Sequence, residues 1–112
     1  MSRRPFEKAM ERMRDTDVRV WADAFDFLRE HADAYVDELI AEFAVETDPD
    51  VRCRLLELIA EARSEKALVV FGEQLESRDD DLRFWAVRGL EMLDTRQAHR
   101  LLEQARDNGW VY

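Results

Sequence analysis

The chain has 112 residues, of which 26 are Asp or Glu and 17 Lys or Arg, for a formal net charge of −9 at 46% hydrophobic content. One domain of this size closes a core without metal or disulfide, and a single cysteine, Cys53, cannot form an internal disulfide, which suits a cytoplasmic protein. The acid excess argues against a phosphate-neutralising nucleic-acid surface and an anionic membrane surface, no apolar run approaches the ~20 residues of a membrane span, and MSRRPFEKAM lacks the apolar core of a secretory signal.

Three glycines and two prolines leave little to break a helix, and no strand-like alternation is present. From the N-terminus, residues 5–14 align Phe6, Ala9, Met10 and Met13 on one face and predict a short helix that covers the end of the following unit. Residues 15–47 form the first unit, with Val18, Ala22, Phe25 and Leu28 on one helix, Tyr35, Leu39 and Phe43 on a second, and Asp33 as the second helix's cap. Residues 48–78 form the next, opened by Asp48-Pro49-Asp50: a capping carboxylate, a proline at the first helical position and an acid at the positive end of the dipole. Its buried faces are Val51, Leu55, Leu58, Ile59 and Ala62, then Ala67, Leu68, Phe71 and Leu75 behind a Ser64 cap. Residues 79–108 repeat the pattern with Leu82, Ala86, Leu90 and Leu93, then Ala98, Leu101, Leu102 and Ala105 behind a Thr95 cap. Asn108-Gly109 stops the last helix, and residues 109–112 are an apolar tail that folds back over the third unit.

The three units share a register. Asp17-Val18-Arg19, Asp50-Val51-Arg52 and Asp81-Leu82-Arg83 recur at separations of 33 and 31 residues, and Ala34, Ala67 and Ala98 repeat the same spacing. Each triplet follows another acid, Asp15, Asp48 or Asp79, two residues upstream. Each unit therefore reads as a helical hairpin. The D-x-V-R register, with Ala or Leu five residues after the Asp and Leu or Ile four further on, resembles HEAT repeats of the short kind related to phycobilisome-lyase repeats. The resemblance spans about Asp15 to Asp107. It implies an all-α, right-handed α-solenoid of three HEAT-like hairpins with an N-terminal capping helix, forming one domain over residues 1–112. It also implies that Arg19, Arg52 and Arg83, with Asp17, Asp50 and Asp81, bond between neighbouring repeats.

The inventory for chemistry is thin. His31 and His99 stand 68 residues apart at non-equivalent repeat positions without a metal-binding motif, and Cys53 has no nearby histidine in a catalytic pattern. Asp79-Asp80-Asp81 lacks the glycine-containing alternation of a calcium loop and reads as the first turn of a helix. The resemblance extends to phycobilin lyases and a class of DNA glycosylases. Three units offer a tetrapyrrole a small surface, however, and the charge is wrong for a DNA groove. No catalytic residue, metal or cofactor is expected.

Binding is the better expectation, because hairpin solenoids present their second helices as an extended concave surface. Off the apolar stripe these helices carry Asp37, Glu38 and Glu42, then Val69, Val70, Glu73 and Gln74, then Arg100 and Gln104. The series is an acidic rim around an apolar spot, suited to a basic or mixed-charge protein partner. Trp21 and Trp85 share one repeat position and are further candidates for partner contact, although packing against the adjoining repeat is the simpler account of both. The expected function is a non-catalytic protein-interaction module. More specific alternatives are an immunity-type inhibitor of a basic effector and a structural subunit, the chain being monomeric or a weak homodimer.

Overall fold

The computed structural model describes residues 4–111, which form seven α-helices, one 3₁₀ turn and, among the described residues, no strand. In order these are α1 (Pro5–Met13), α2 (Val18–Glu30), α3 (Val36–Val45), α4 (Pro49–Glu61), the 3₁₀ turn (Glu65–Ala67), α5 (Leu68–Gln74), α6 (Asp80–Leu93) and α7 (Arg96–Asp107). The first helices α2, α4 and α6 pack in succession as one layer, with α3 against α4, α5 against α6, and α7 against both α5 and α6. The result is an α-solenoid, elongated at 49 × 25 × 21 Å.

Local chemistry sets most of the boundaries. The Asp48 carboxylate accepts from the backbone N–H groups of Asp50 (2.9 Å) and Val51 (3.2 Å) with Pro49 at the first position, and Asp79 does the same for Asp81 and Leu82 at 2.9 and 3.3 Å. Ser64 accepts from Lys66 N–H at 3.2 Å and Thr95 from Ala98 N–H at 3.1 Å, so both expected second-helix caps are present. At the other end Gly109 adopts φ +75°, the left-handed conformation that a glycine supplies without strain, and Trp110 N–H bonds back to Ala105 C=O at 2.9 Å. That turn directs Trp110 and Val111 back over α6, as the tail was expected to run; Tyr112 lies outside the described residues.

One continuous core joins all the helices. Phe6, Ala9, Met10 and Met13 of α1 are all buried, and α1 lies against α2 as α3 lies against α4 and α5 against α6. The short helix thus takes the place of a second helix in front of the first unit. Helix α4 sits in the middle of the ladder and buries Leu56 and Ala60 in addition to its expected stripe, because it has neighbours on both flanks. Gly89 on α6 permits an especially close approach: a Cβ there would fall within 3.0 Å of three carbons of the Phe71 ring on α5.

The first unit departs from its expected register. Its helix is capped by Asp17, which accepts from Arg19 N–H at 2.9 Å, rather than by Asp15, the counterpart of Asp48 and Asp79. Asp15 instead accepts from Asp17 N–H at 2.8 Å in the turn leaving α1. The helix therefore begins two residues later, and Val18 is 58% exposed although its equivalents Val51 and Leu82 are buried. Asp33 does not cap α3 either: it accepts from Ala34 N–H, while Ala34 and Tyr35 bond to His31 C=O in a turn that postpones the helix to Val36. As a consequence Ala34 is exposed, unlike Ala67 and Ala98, and Ala32 and Val36 fill the core instead.

The arginines do join neighbouring repeats, but through carbonyls. Arg52 Nη1 donates to Phe43 C=O (2.9 Å) and Glu46 C=O (3.0 Å) at the end of α3, and its guanidinium lies 4.0 Å from the centre of the Phe43 ring. Arg83 Nη1 donates to Ser77 C=O at 2.5 Å, beyond the end of α5, and Arg83 Nη2 pairs with Asp80. The Arg52 bonds satisfy carbonyls that the end of α3 leaves open, and the Arg83 bond satisfies one in the loop that follows α5. Arg19 has no such role: it points outward and meets Asp17 at 3.4 Å. Its place is taken by Arg54, whose Nη1 donates to Met13 C=O at the end of α1 (3.0 Å) while its guanidinium stacks 3.8 Å over Trp21.

Candidate partner-binding face

Two neighbouring depressions open on the layer of second helices. The larger, about 520 Å³, lies between α5 and α7; Leu68, Gly72 and Leu101 line it with Val69, and Glu73, Glu76, Gln97, Arg100 and Gln104 surround them. The other, about 440 Å³, lies between α3 and α5 against Ile40, Phe43 and Ala44, with Val70, Gln74, Arg52 and Lys66. Val69 and Glu73 border both, so they stand on the ridge between them. Val69 is 70% exposed, a large apolar side chain left in water at the centre of the face.

The depth has a local cause. Gly72 removes a side chain one turn after Leu68, and the Leu101 methyls lie 3.7 and 3.8 Å from where its Cβ would stand, leaving an apolar hollow. Leu68 and Leu101 are only partly buried, so a stripe assigned to the core also supplies the lining of the groove. A small residue at the i+4 position of a second helix was the sequence signal for it.

Of the expected contact residues, Val69, Val70, Glu73, Gln74, Arg100 and Gln104 are brought together on these two depressions. Asp37, Glu38 and Glu42 line neither, and each already faces a cation. Asp37 meets Lys66 at 3.1 Å, Glu38 meets Arg4 at 3.6 Å, and Glu42 shares Arg14 with Glu46 at 3.2 and 3.3 Å. Burial opposes the charge on Arg14, but the hydrogen bonds it donates to Glu46 and Glu42, and the charges of those carboxylates, outweigh it and hold the guanidinium above its ordinary pKa. These acids thereby link α3 to α1 and to the 3₁₀ turn. Trp21 and Trp85 stand on α2 and α6 in the opposite layer: Trp21 lies beneath Arg54, and Trp85 packs edge-on against Phe84 at 5.0 Å.

Cys53, His31 and His99 lie away from these depressions. Burial, and then the charges of Asp81, Asp79, Glu57 and Asp50, push the Cys53 thiol above its ordinary pKa, which disfavours the thiolate a nucleophile needs. His31 shares a hydrogen bond with Phe27 C=O (2.9 Å) and His99 one with Asp94 (2.7 Å), both local to their helix ends. Among the described residues no group of three or more His, Cys, Asp or Glu side chains is placed to hold a metal ion.

A family model of HEAT repeats matches residues 36–111, from the start of α3 to beyond the end of α7. The chain belongs to the HEAT-repeat family. The sequence matches none of the curated proteins. The matched stretch leaves out α1 and α2, the part of this HEAT-repeat protein in which the caps and Val18 depart from the register of the other units. HEAT repeats are commonly protein-interaction modules and are generally non-catalytic, and the groove between α5 and α7 falls wholly within the match. No helix among the described residues is long and apolar enough to cross a membrane.

Proposed function

We propose that this HEAT-repeat chain is a non-catalytic adaptor that binds a protein partner along its second-helix face, centred on Val69 and the groove between α5 and α7. The observation that carries this reading is the exposed Val69 above an apolar hollow formed by Leu68, Gly72 and Leu101, with Glu73, Glu76 and Arg100 at its edges. An apolar centre with a polar rim is the composition of a protein interface rather than of a merely solvated surface. The rim mixes charges locally, and the chain as a whole carries −9, so a partner with basic residues gains in encounter rate while the apolar contact supplies affinity. The more acidic rim expected from Asp37, Glu38 and Glu42 is reduced, since those side chains already pair within the fold.

The test is affinity capture followed by mass spectrometry, run in parallel with wild type, Val69→Asp and, as a control in the opposite layer, Val18→Asp. A partner retained by wild type and Val18→Asp but lost by Val69→Asp supports the reading. Equal retention by all three places the contact elsewhere and refutes it.

A further inference from the structure

The groove between α5 and α7 has two unlike walls. Gln97, Arg100 and Gln104 stand at i, i+3 and i+7 along α7 on one side of the hollow, and Glu73 and Glu76, on and just after α5, stand on the other. All five are exposed, and among the described residues none of their side chains makes a hydrogen bond or ion pair within the chain. The amides are not scattered. In a sequence that is 38% charged there are three glutamines, Gln74, Gln97 and Gln104, and every one lies on the two depressions of this face. A primary amide offers a donor and an acceptor together without charge, which is the pairing a peptide group needs.

We propose, resting on the partner-binding reading above, that the occupant of this groove is a basic segment of the partner in extended conformation, lying along α7 with its peptide groups on Gln97, Arg100 and Gln104. An apolar side chain of the segment fills the hollow beside Gly72, and a lysine or arginine meets Glu73 and Glu76. The backbone selects an extended chain over a helix. A helix satisfies its own N–H and C=O groups and gives the amide row nothing to bond. An extended segment on an apolar floor must find partners for those groups, and the backbones of α5 and α7 are already paired within their helices. Donation to carbonyls is also what Arg52, Arg54 and Arg83 do inside this fold. Spacing agrees: seven residues of helix rise about 10.5 Å, the span of about three extended residues. Charge selects a basic segment. Glu73 and Glu76 outnumber Arg100, the flanking Arg96 and Glu103 of α7 offset each other, and Lys66 is paired with Asp37 at 3.1 Å.

The test is selection on the immobilised chain from a displayed library of random peptides of about twelve residues, about 40 Å when extended. Recovered peptides are then synthesised with a fluorescent label and titrated by anisotropy. They are expected to combine Lys or Arg with an apolar residue, to bind without gain of helical circular dichroism, and to bind more weakly at about 0.5 M than at about 0.02 M salt. Gln97→Met with Gln104→Met keeps side-chain length and helix propensity while removing both amides, and is expected to keep the helical circular dichroism of the protein and raise Kd at least about 10-fold. Glu73→Gln with Glu76→Gln is expected to raise Kd about 3- to 10-fold and to flatten the salt dependence. A selection that enriches nothing, enrichment of acidic sequences, peptides that become helical on binding, or a Gln97→Met and Gln104→Met protein that binds as wild type does overturns the proposal. Failure of the partner-binding reading looks different, since recovered peptides and captured proteins would then bind Val69→Asp as well as wild type.

Discussion

Replacing Gly89 by alanine reverses the usual sign of a glycine-to-alanine change inside a helix. On propensity alone the substitution stabilises by up to about 1 kcal/mol. Here the added methyl falls within 3.0 Å of three Phe71 ring carbons, and Phe71 is a fully buried side chain of α5, which packs on α6. Overpacking costs about 1–3 kcal/mol, and with the methyl 2.4 Å from the nearest carbon of a buried ring the cost falls in the upper half of that range, so the net loss after the propensity gain is about 1–2 kcal/mol. In a domain of this length that lowers the melting temperature by about 4–8 °C. Gly72→Ala is the internal control, because its nearest neighbours are Leu101 methyls at 3.7 and 3.8 Å, an ordinary contact, and it should be neutral or slightly stabilising. Thermal and urea unfolding followed by circular dichroism measures both. A double-mutant cycle adds Phe71→Leu, in whose background Gly89→Ala should cost clearly less. A Gly89→Ala protein as stable as wild type would refute the packing of α5 on α6 described above.

Arg52→Met should destabilise by about 1–3 kcal/mol, since it removes two carbonyl bonds and the stacking on Phe43; Arg19→Met, at a side chain that leaves its own repeat unbridged, should change stability by less than about 0.5 kcal/mol in the same urea titration. Glu57 is pushed above its ordinary pKa by burial and by Glu61, with Arg29 opposing, so its anion is disfavoured in the folded state. A group raised in this way favours folding below its unfolded pKa and loses that contribution as pH rises through the folded value. Glu57→Gln should therefore raise the melting temperature at neutral pH, and the difference should vanish once the pH falls below about 4.5, where wild type is protonated in both states. Cys53 should react with a disulfide reagent more slowly in the folded chain than in urea at the same pH, and its folded-state rate should rise at a higher pH than that of a free thiol; equal rates would remove the burial and acidic-neighbour argument.

Much of the fold was legible because local chemistry and apolar spacing agreed. Asp48-Pro49, Asp79, Ser64 and Thr95 cap the helices as read, and all four apolar residues of α1 reach the core. The first unit was misread where a turn competed with the repeat. A second acid two residues on captured the cap of α2, and the His31 carbonyl drew Ala34 and Tyr35 into a turn ahead of α3. Both outcomes are set by hydrogen bonds in the turns between helices, which apolar spacing within one helix does not encode. At the candidate site the same limit applies. Val69, Glu73 and Arg100 were legible as positions off the stripe, but the pairing of Asp37, Glu38 and Glu42 with Lys66, Arg4 and Arg14 crosses between elements. The hollow itself comes from a missing side chain, Gly72, opposite Leu101.

The partner-binding reading is tested most directly by amide chemical-shift mapping of isotopically labelled protein titrated with the captured partner. The account predicts that perturbations concentrate at Leu68, Val69, Gly72 and Glu73 on α5 and at Arg100, Leu101 and Gln104 on α7. Perturbations confined to α2 and α6, with α5 and α7 unmoved, would contradict it.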